Sequence, residues 1–187
     1  MVPITALWLP ILVSAVLVFA WSSVVHMVLG YHRGDYAKLP NEDAVMEALR
    51  NAGVAPGNYH FPHVASPKEM SSPAFVEKRT KGPVGLLNVI PSGPPALGKS
   101  LAMWFAFSVV VGVFVAYLTG RAFGPDTPYL TVFRSAGTIA FVAYAATHAT
   151  DPIWKGERWG TALKHVLDGL VYGLLTAGAF GWLWPRG

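Results

Sequence analysis

Four side chains in this 187-residue sequence have the types that do chemistry together: His26, His148, His165 and Asp168. Imidazole and carboxylate ligate zinc or copper. Imidazole also exchanges protons near neutral pH, and both groups are costly inside a bilayer. His165 and Asp168 are three apart, so a helix sets them on one face. His32, His60 and His63 are further imidazoles that such a cluster could recruit. Three readings are open. In the leading one these groups hydrogen-bond to one another, to backbone carbonyls or to the 31–100 segment. In the second they bind a metal, although no short ligand motif supports it. In the third they handle protons or line a substrate path. A bis-histidine haem fits less well, because the histidines fall near helix ends rather than deep in a bundle.

Other chemistry finds little footing. The chain has no cysteine, which removes disulfides, thiolate metal sites, iron–sulfur clusters and a cysteine nucleophile. H-E-x-x-H, G-x-S-x-G and paired carboxylates within an apolar run are all absent. The balance therefore leans away from an enzyme and names no catalytic residue. Residues 93–100, Gly-Pro-Pro-Ala-Leu-Gly-Lys-Ser, match the phosphate-loop pattern in full. Pro94 and Pro95 remove two of the backbone N–H groups that would cradle phosphate, and a membrane helix follows. The match reads as a turn, with Lys99 an interfacial anchor and Ser100 a helix cap. No nucleotide or other cofactor is expected.

The elements that position the cluster are written in the hydropathy. Only 13% of residues are charged and 53% are hydrophobic, against about 25% charged in soluble domains. Residues 4–29 carry no formal charge, and about 20 apolar residues span a bilayer. The run is too long, and its start too uncharged, for a signal peptide. Pro10 is expected to kink it or to sit near its outer end. Further spans are expected at about 101–119, 129–149 and 166–184, the last ending in tryptophans that suit an interfacial belt. The third is the weakest, because Arg134 leaves an uncharged core only from 135 to 150. Arg134 itself reads as snorkelling to headgroups, with an Asp126 pair, an anionic lipid or a substrate as alternatives.

Lys and Arg concentrate in residues 31–100 and in the connection near 155–164; only Arg121, Arg134 and Arg186 fall on the other side. The positive-inside rule then puts both termini outside and the 31–100 loop in the cytoplasm. The net charge of +4 has this use, and no nucleic-acid partner is expected. Within the loop, 40–53 reads as a helix capped by Asn41 and ended by Gly53. Residues 59–64 and 84–90 read as strands, and Ser72-Pro73 as the start of a second helix. Small residues recur every fourth position at Ser108, Gly112, Ala116 and Gly120, and again at Gly169, Gly173 and Ala177. Each series makes a flat stripe for close helix packing, within the bundle or between copies.

Several stretches are familiar together: His26-Met-Val-Leu-Gly-Tyr-His-Arg-Gly-Asp-Tyr36, Leu39-Pro-Asn-Glu-Asp-Ala-Val-Met-Glu-Ala-Leu49, Gly98-Lys-Ser-Leu101 and Asp168-Gly-Leu-Val-Tyr-Gly-Leu-Leu-Thr-Ala-Gly-Ala-Phe-Gly-Trp-Leu-Trp-Pro185. They resemble an uncharacterised group of bacterial four-span inner-membrane proteins. The resemblance covers most of the chain. It implies a bacterial inner-membrane location and supplies no activity, cofactor or site.

The expectation is therefore an all-α membrane protein: one domain over 1–187, a four-transmembrane-helix bundle with a small α+β cytoplasmic insert at 31–100. Its expected role is a structural or accessory membrane component, in contact with lipid and with copies of itself or other membrane subunits. The alternatives are a small transporter or channel using the His/Asp cluster, and a metal- or haem-binding membrane protein.

Overall fold

The computed structural model describes residues 1–187, and the chain divides into two compact units. The first comprises Met1–Asp35 with Ala96–Gly187, and the second Tyr36–Pro95.

The first unit is helical. Helix α1 (Trp8–Ser23) is entered through a 3-10 turn at Ile4–Leu7 and left through a π-helical turn at Val24–Leu29. Pro10 falls in the first turn of α1, where a missing N–H costs nothing. Helix α4 spans Leu97–Ala122 and α5 spans Tyr129–Ala145. A 3-10 turn at Ala146–Ala149 joins α5 to the short α6 (Thr150–Lys155), and α7 runs Trp159–Trp182. Helices α2 and α3 lie in the second unit.

Three segments are long and apolar enough to cross a membrane: Ile4–Leu29, Leu97–Ala122 and Tyr129–Lys155. The expected fourth does not join them. Helix α7 has the length, at 24 residues, but Lys164, His165, Asp168 and its glycines hold its hydropathy down. Two starts also move. Helix α4 begins at Leu97 rather than near 101, with Ala96 at the N-cap and no side-chain cap. Ser100 thus lies inside the first turn, because the turn-forming prolines end sooner than the apolar run begins. Helix α7 begins at Trp159, seven residues before the apolar run.

The unit buries small and hydroxyl side chains beside a few large ones such as Leu7, Val18, Val115 and Phe180, and leaves many large apolar side chains outside. Buried positions include Ser14, Ala15 and Ser22 on α1, Ser108, Gly112, Ala116 and Thr119 on α4, and Gly169, Gly173, Thr176 and Ala177 on α7. Leu12, Val16, Phe114 and Tyr117 are exposed, as are Leu163, Leu167, Leu170 and Leu174 of α7. In water this order would be reversed, whereas in lipid small residues let helices approach and large apolar ones meet acyl chains.

Both stripes are consumed inside the chain. A Cβ at Gly112 would meet Ile11 of α1 at 3.2 Å, and one at Gly120 would press on the Val2 carbonyl at 2.5 Å. One at Gly169 would lie 2.7 Å from Ala145 Cβ, and one at Gly173 would lie 3.2 Å from the Gly137 carbonyl. The stripes seat α4 on α1 and α7 on α5, which leaves neither free for a second copy. At one end Val2 N–H donates to Gly120 O (2.8 Å), Trp184 Nε1 to Gly124 O (2.9 Å) and Asp126 N–H to Pro185 O (3.1 Å). These bonds gather the start of α1 and the ends of α4 and α7. The helices therefore alternate in direction, and the other end of the unit holds the end of α1 and the start of α7.

The second unit contains α2 (Glu42–Asn51), β1 (Gly57–Phe61), α3 (Pro73–Lys81) and β2 (Gly85–Val89). The strands pair antiparallel with Tyr59 opposite Leu87. Pro62, which has no N–H to give, ends β1 before the expected 64. Asn41 does not cap α2 through its side chain; it sits in the left-handed region at φ 51°, which Asn tolerates. Gly53, at φ 66°, does end α2, and the Ser72 side chain accepts from Phe75 N–H to start α3. The strand before the Gly93–Ser100 segment belongs to a two-stranded antiparallel ribbon, not to the parallel sheet a phosphate loop requires. No residue of this unit is buried.

Candidate metal and ligand site

The π turn decides where His26 points. Widening the last turn of α1 swings Val24–Leu29 out of α-helical register, and π turns of this kind recur at functional sites. Gly30 then reverses the chain at φ 62°, which returns Tyr31, His32 and Asp35 against the first turns of α7. The sequence singled out His26, His148, His165 and Asp168. The structure joins them through His32, which sat among the secondary candidates, and adds Tyr31, Asp35 and Lys164.

Four imidazoles lie in a row. His26 stacks on His32 at 4.4 Å between ring centroids, His32 on His165 at 5.1 Å and His165 on His148 at 4.9 Å. His32 is the hub. Its Nδ1 is 2.6 Å from Asp35 Oδ2 and its Nε2 is 2.7 Å from Asp168 Oδ2. Both carboxylates are backed from behind. Lys164 Nζ donates to Asp35 Oδ1 at 2.6 Å and to the Tyr31 carbonyl at 2.8 Å. The Tyr31 hydroxyl donates to Asp168 Oδ1. The Asp35 and Asp168 side chains are only 4% and 7% exposed, so these bonds replace water almost completely.

Electrostatics follow from these contacts. Burial pushes the Asp35 carboxyl up, but hydrogen bonds from Lys164 and His32, with their charges, outweigh it and hold the group below the usual carboxylate range. Tyr31 is pushed up by burial, then by its hydrogen bond to Asp168 and that group's negative charge. It stays a phenol and a donor.

Two overlapping triplets bring their ligand atoms within 4.8 Å of one another: His26, His32 and Asp168, and His32, Asp35 and His165. The first has the better supporting contacts. His26 Nδ1 donates to the Ser22 carbonyl at 2.9 Å, leaving Nε2 as a lone-pair ligand. His32 Nδ1 meets Asp35 and Asp168 Oδ1 accepts from Tyr31. His32 Nε2 and Asp168 Oδ2 face each other at 2.7 Å, and both would have to turn from that bond to a metal. Metal-binding imidazoles are held in this way, with the second nitrogen fixed by a carboxylate or carbonyl. Coordination requires the stacked rings to fan apart.

A cavity of about 620 Å³ adjoins this face, walled by α1, α4, α5 and α7. His26, His148, His165 and Asp168 form its polar end, and Trp104, Phe107, Tyr144 and Tyr172 form its aromatic wall. Trp104 is braced by a 2.8 Å bond from Nε1 to Ser22 Oγ.

Other polar groups lie elsewhere. Asp151 pairs with Lys155 at 2.6 Å one turn along α6. His60 and His63 belong to the second unit. Arg134 lines a shallower depression of about 290 Å³ with Phe133, Phe141 and Leu170. Asp126, a possible partner of Arg134, instead accepts from the Gly187 N–H at 3.1 Å. A signal for the missed residues was present: His-x-x-Asp occurs three times, at His32/Asp35, His148/Asp151 and His165/Asp168, and both residues of the first and third belong to the cluster. The chain matches no protein-family profile, no curated protein and no solved structure.

Proposed function

We propose that this protein is a membrane protein that holds a divalent transition metal of the zinc or iron type at one end of its helical unit. His26, His32 and Asp168 are its ligands, with Asp35, Tyr31 and Lys164 holding them. The observation that carries this reading is the convergence of His26, His32 and Asp168, whose ligand atoms lie within 4.8 Å of one another while His32 Nδ1 is held by a lysine-backed carboxylate. Imidazole and carboxylate without thiolate suit zinc, iron(II) or copper(II). Three protein ligands leave a coordination position open, as in sites that bind a further molecule.

In this reading α7 is a fourth span. Its exposed leucines, at Leu163, Leu167, Leu170 and Leu174, form one stripe at helical spacing, and its polar residues face inward. The distribution of Lys and Arg then places the metal end at the cytoplasmic surface, with the termini outside. An accessory role through the small-residue stripes loses its support, since those stripes pack within the chain.

The test is elemental analysis of protein purified in mild detergent without chelator, beside His32→Ala and Asp168→Ala. About one metal per chain in the wild type, lost in both variants, is the expected result for a three-ligand site. Wild-type protein that neither arrives with metal nor binds added zinc or iron(II) removes the proposal.

A further inference from the structure

We propose that the groove between α5 and α7 holds one acyl chain of an anionic phospholipid, whose phosphate pairs with Arg134. The site lies toward the end opposite the histidine cluster and is independent of any metal. It begins from a cation without a partner. Arg134 lies within Tyr129–Lys155, a segment long and apolar enough to cross a membrane, and an ionised side chain there calls for an anion. The chain supplies none. Arg134 is in no ion pair, and Asp126 accepts instead from Gly187 N–H. The side chains of this end are basic on balance, with Arg121, Arg134 and Arg186 against Asp126.

Depth decides which anion. Tyr129 opens α5 and packs on Gly181 of α7, where a Cβ would meet its ring at 2.7 Å. Tyr129 and Trp182 are both exposed, as aromatic residues are at headgroup level. Arg134 is five residues deeper, about 7.5 Å along the axis at 1.5 Å per residue. A helical side chain leans toward the N-terminus of its helix, so the guanidinium reaches back to the level of the lipid phosphates. Its planar fork fits two phosphate oxygens at once.

The groove accommodates the other half of the lipid. It is shallow, about 290 Å³, and runs from Arg134 along α5 to Phe141, with Leu174 and Leu170 on the α7 side. Gly137 and Gly173 form its floor, where the helices are so close that a Cβ at Gly173 would stand 3.2 Å from the Gly137 carbonyl. The Thr138 hydroxyl donates to the Arg134 carbonyl at 2.8 Å, so the Arg134 guanidinium is the one free polar group of the lining. The groove is charged at one end, apolar along the rest and open at the exposed Leu170 and Leu174. That polarity matches an acyl chain lying along the helices beneath its own phosphate.

The test uses the full chain, delipidated in mild detergent, and phosphatidylglycerol carrying a photoreactive diazirine on its acyl chain. Saturable labelling should fall within residues 137–141 and 170–174. Unlabelled phosphatidylglycerol should compete about tenfold better than phosphatidylcholine of the same chains, because only the former brings a net negative charge to the guanidinium. Inorganic phosphate, which lacks the chain, should not compete. Arg134→Gln should bring the two lipids to equal competition, whereas Arg121→Gln, at the same end but outside the groove, should keep the preference. Leu170→Trp fills the groove from an exposed position and should cut labelling about tenfold with Arg134 in place, as loss of the chain's site requires. Either groove variant decides if the other fails to fold. Labelling spread evenly over the lipid-facing sides of all helices overturns the proposal. So does an equal loss of preference in both arginine variants, which would show a diffusely positive end. Competition by phosphate alone overturns it too, since that would show an anion site with no place for a chain.

Discussion

Asp35→Asn is the sharpest test of how the cluster works, because it changes one atom and leaves the shape. Asp35 Oδ1 accepts from Lys164 at 2.6 Å and Oδ2 from His32 Nδ1 at 2.6 Å. An amide has one oxygen and one NH₂. Placing NH₂ against the Lys164 ammonium would oppose two donors, so the oxygen must turn to Lys164 and the NH₂ to His32. His32 Nδ1 must then accept, which moves its proton to Nε2, where it points at Asp168. The nitrogen meant for the metal becomes a donor. Loss of such a supporting carboxylate weakens metal binding about 10- to 100-fold, or roughly 1.4–2.7 kcal/mol. The assay is zinc competition against a chromophoric chelator in detergent. Asp151→Asn serves as control, since Asp151 engages only Lys155 in an exposed pair. Unchanged zinc affinity in a folded Asp35→Asn protein would refute the tautomer argument and, with it, the choice of the first triplet over the second.

Two further predictions bear on stability. Acid should weaken the wild type through Asp35: its carboxyl lies below the usual range in the folded protein, so its contribution is present at neutral pH and is lost as pH falls below about 4. Thermal melts of wild type and Asp35→Asn across pH should accordingly converge in acid, and a gap that stays constant to pH 3 would count against it. Gly169→Val should destabilise by about 1–3 kcal/mol through overpacking, because the new Cβ meets Ala145 at 2.7 Å. Gly178→Val, which has nothing within 4 Å, controls for helix propensity, and equal melting of the two would show that α5 and α7 are not locked together.

The helices were legible because their signal is local. Twenty or so apolar residues in a row need no tertiary information, and three such runs reappear as membrane-length helices. Helix α7 was legible as a helix, but the span expected at 166–184 is not among the membrane-length apolar helices, because Lys164, His165, Asp168 and its glycines lower its hydropathy. The candidate site was legible only in part for a different reason. His26, His148, His165 and Asp168 stand out as polar residues in apolar runs. Tyr31, Asp35 and Lys164 sit in ordinary loop and helix-end surroundings, where polar residues need no explanation. The π turn at Val24–Leu29 and the reversal at Gly30 bring Tyr31 and Asp35 against Lys164 of α7; Gly30 marks a helix end locally, but the π turn that sets the direction is not a local propensity.

The arrangement of the cluster argues against a purely structural role. A helix end that needs a polar anchor is satisfied by one pair at the headgroups, where burial costs little. Here two carboxylates are almost fully withdrawn from solvent and a hub imidazole is held between them. Well-packed apolar residues in their place would serve stability as well or better. Tyr31 and Lys164 satisfy the outer oxygens and His32 bridges the inner ones. His26, His148, His165 and Asp168 in addition line a cavity beside the cluster. A scaffold needs no such opening, whereas a ligand-binding site does.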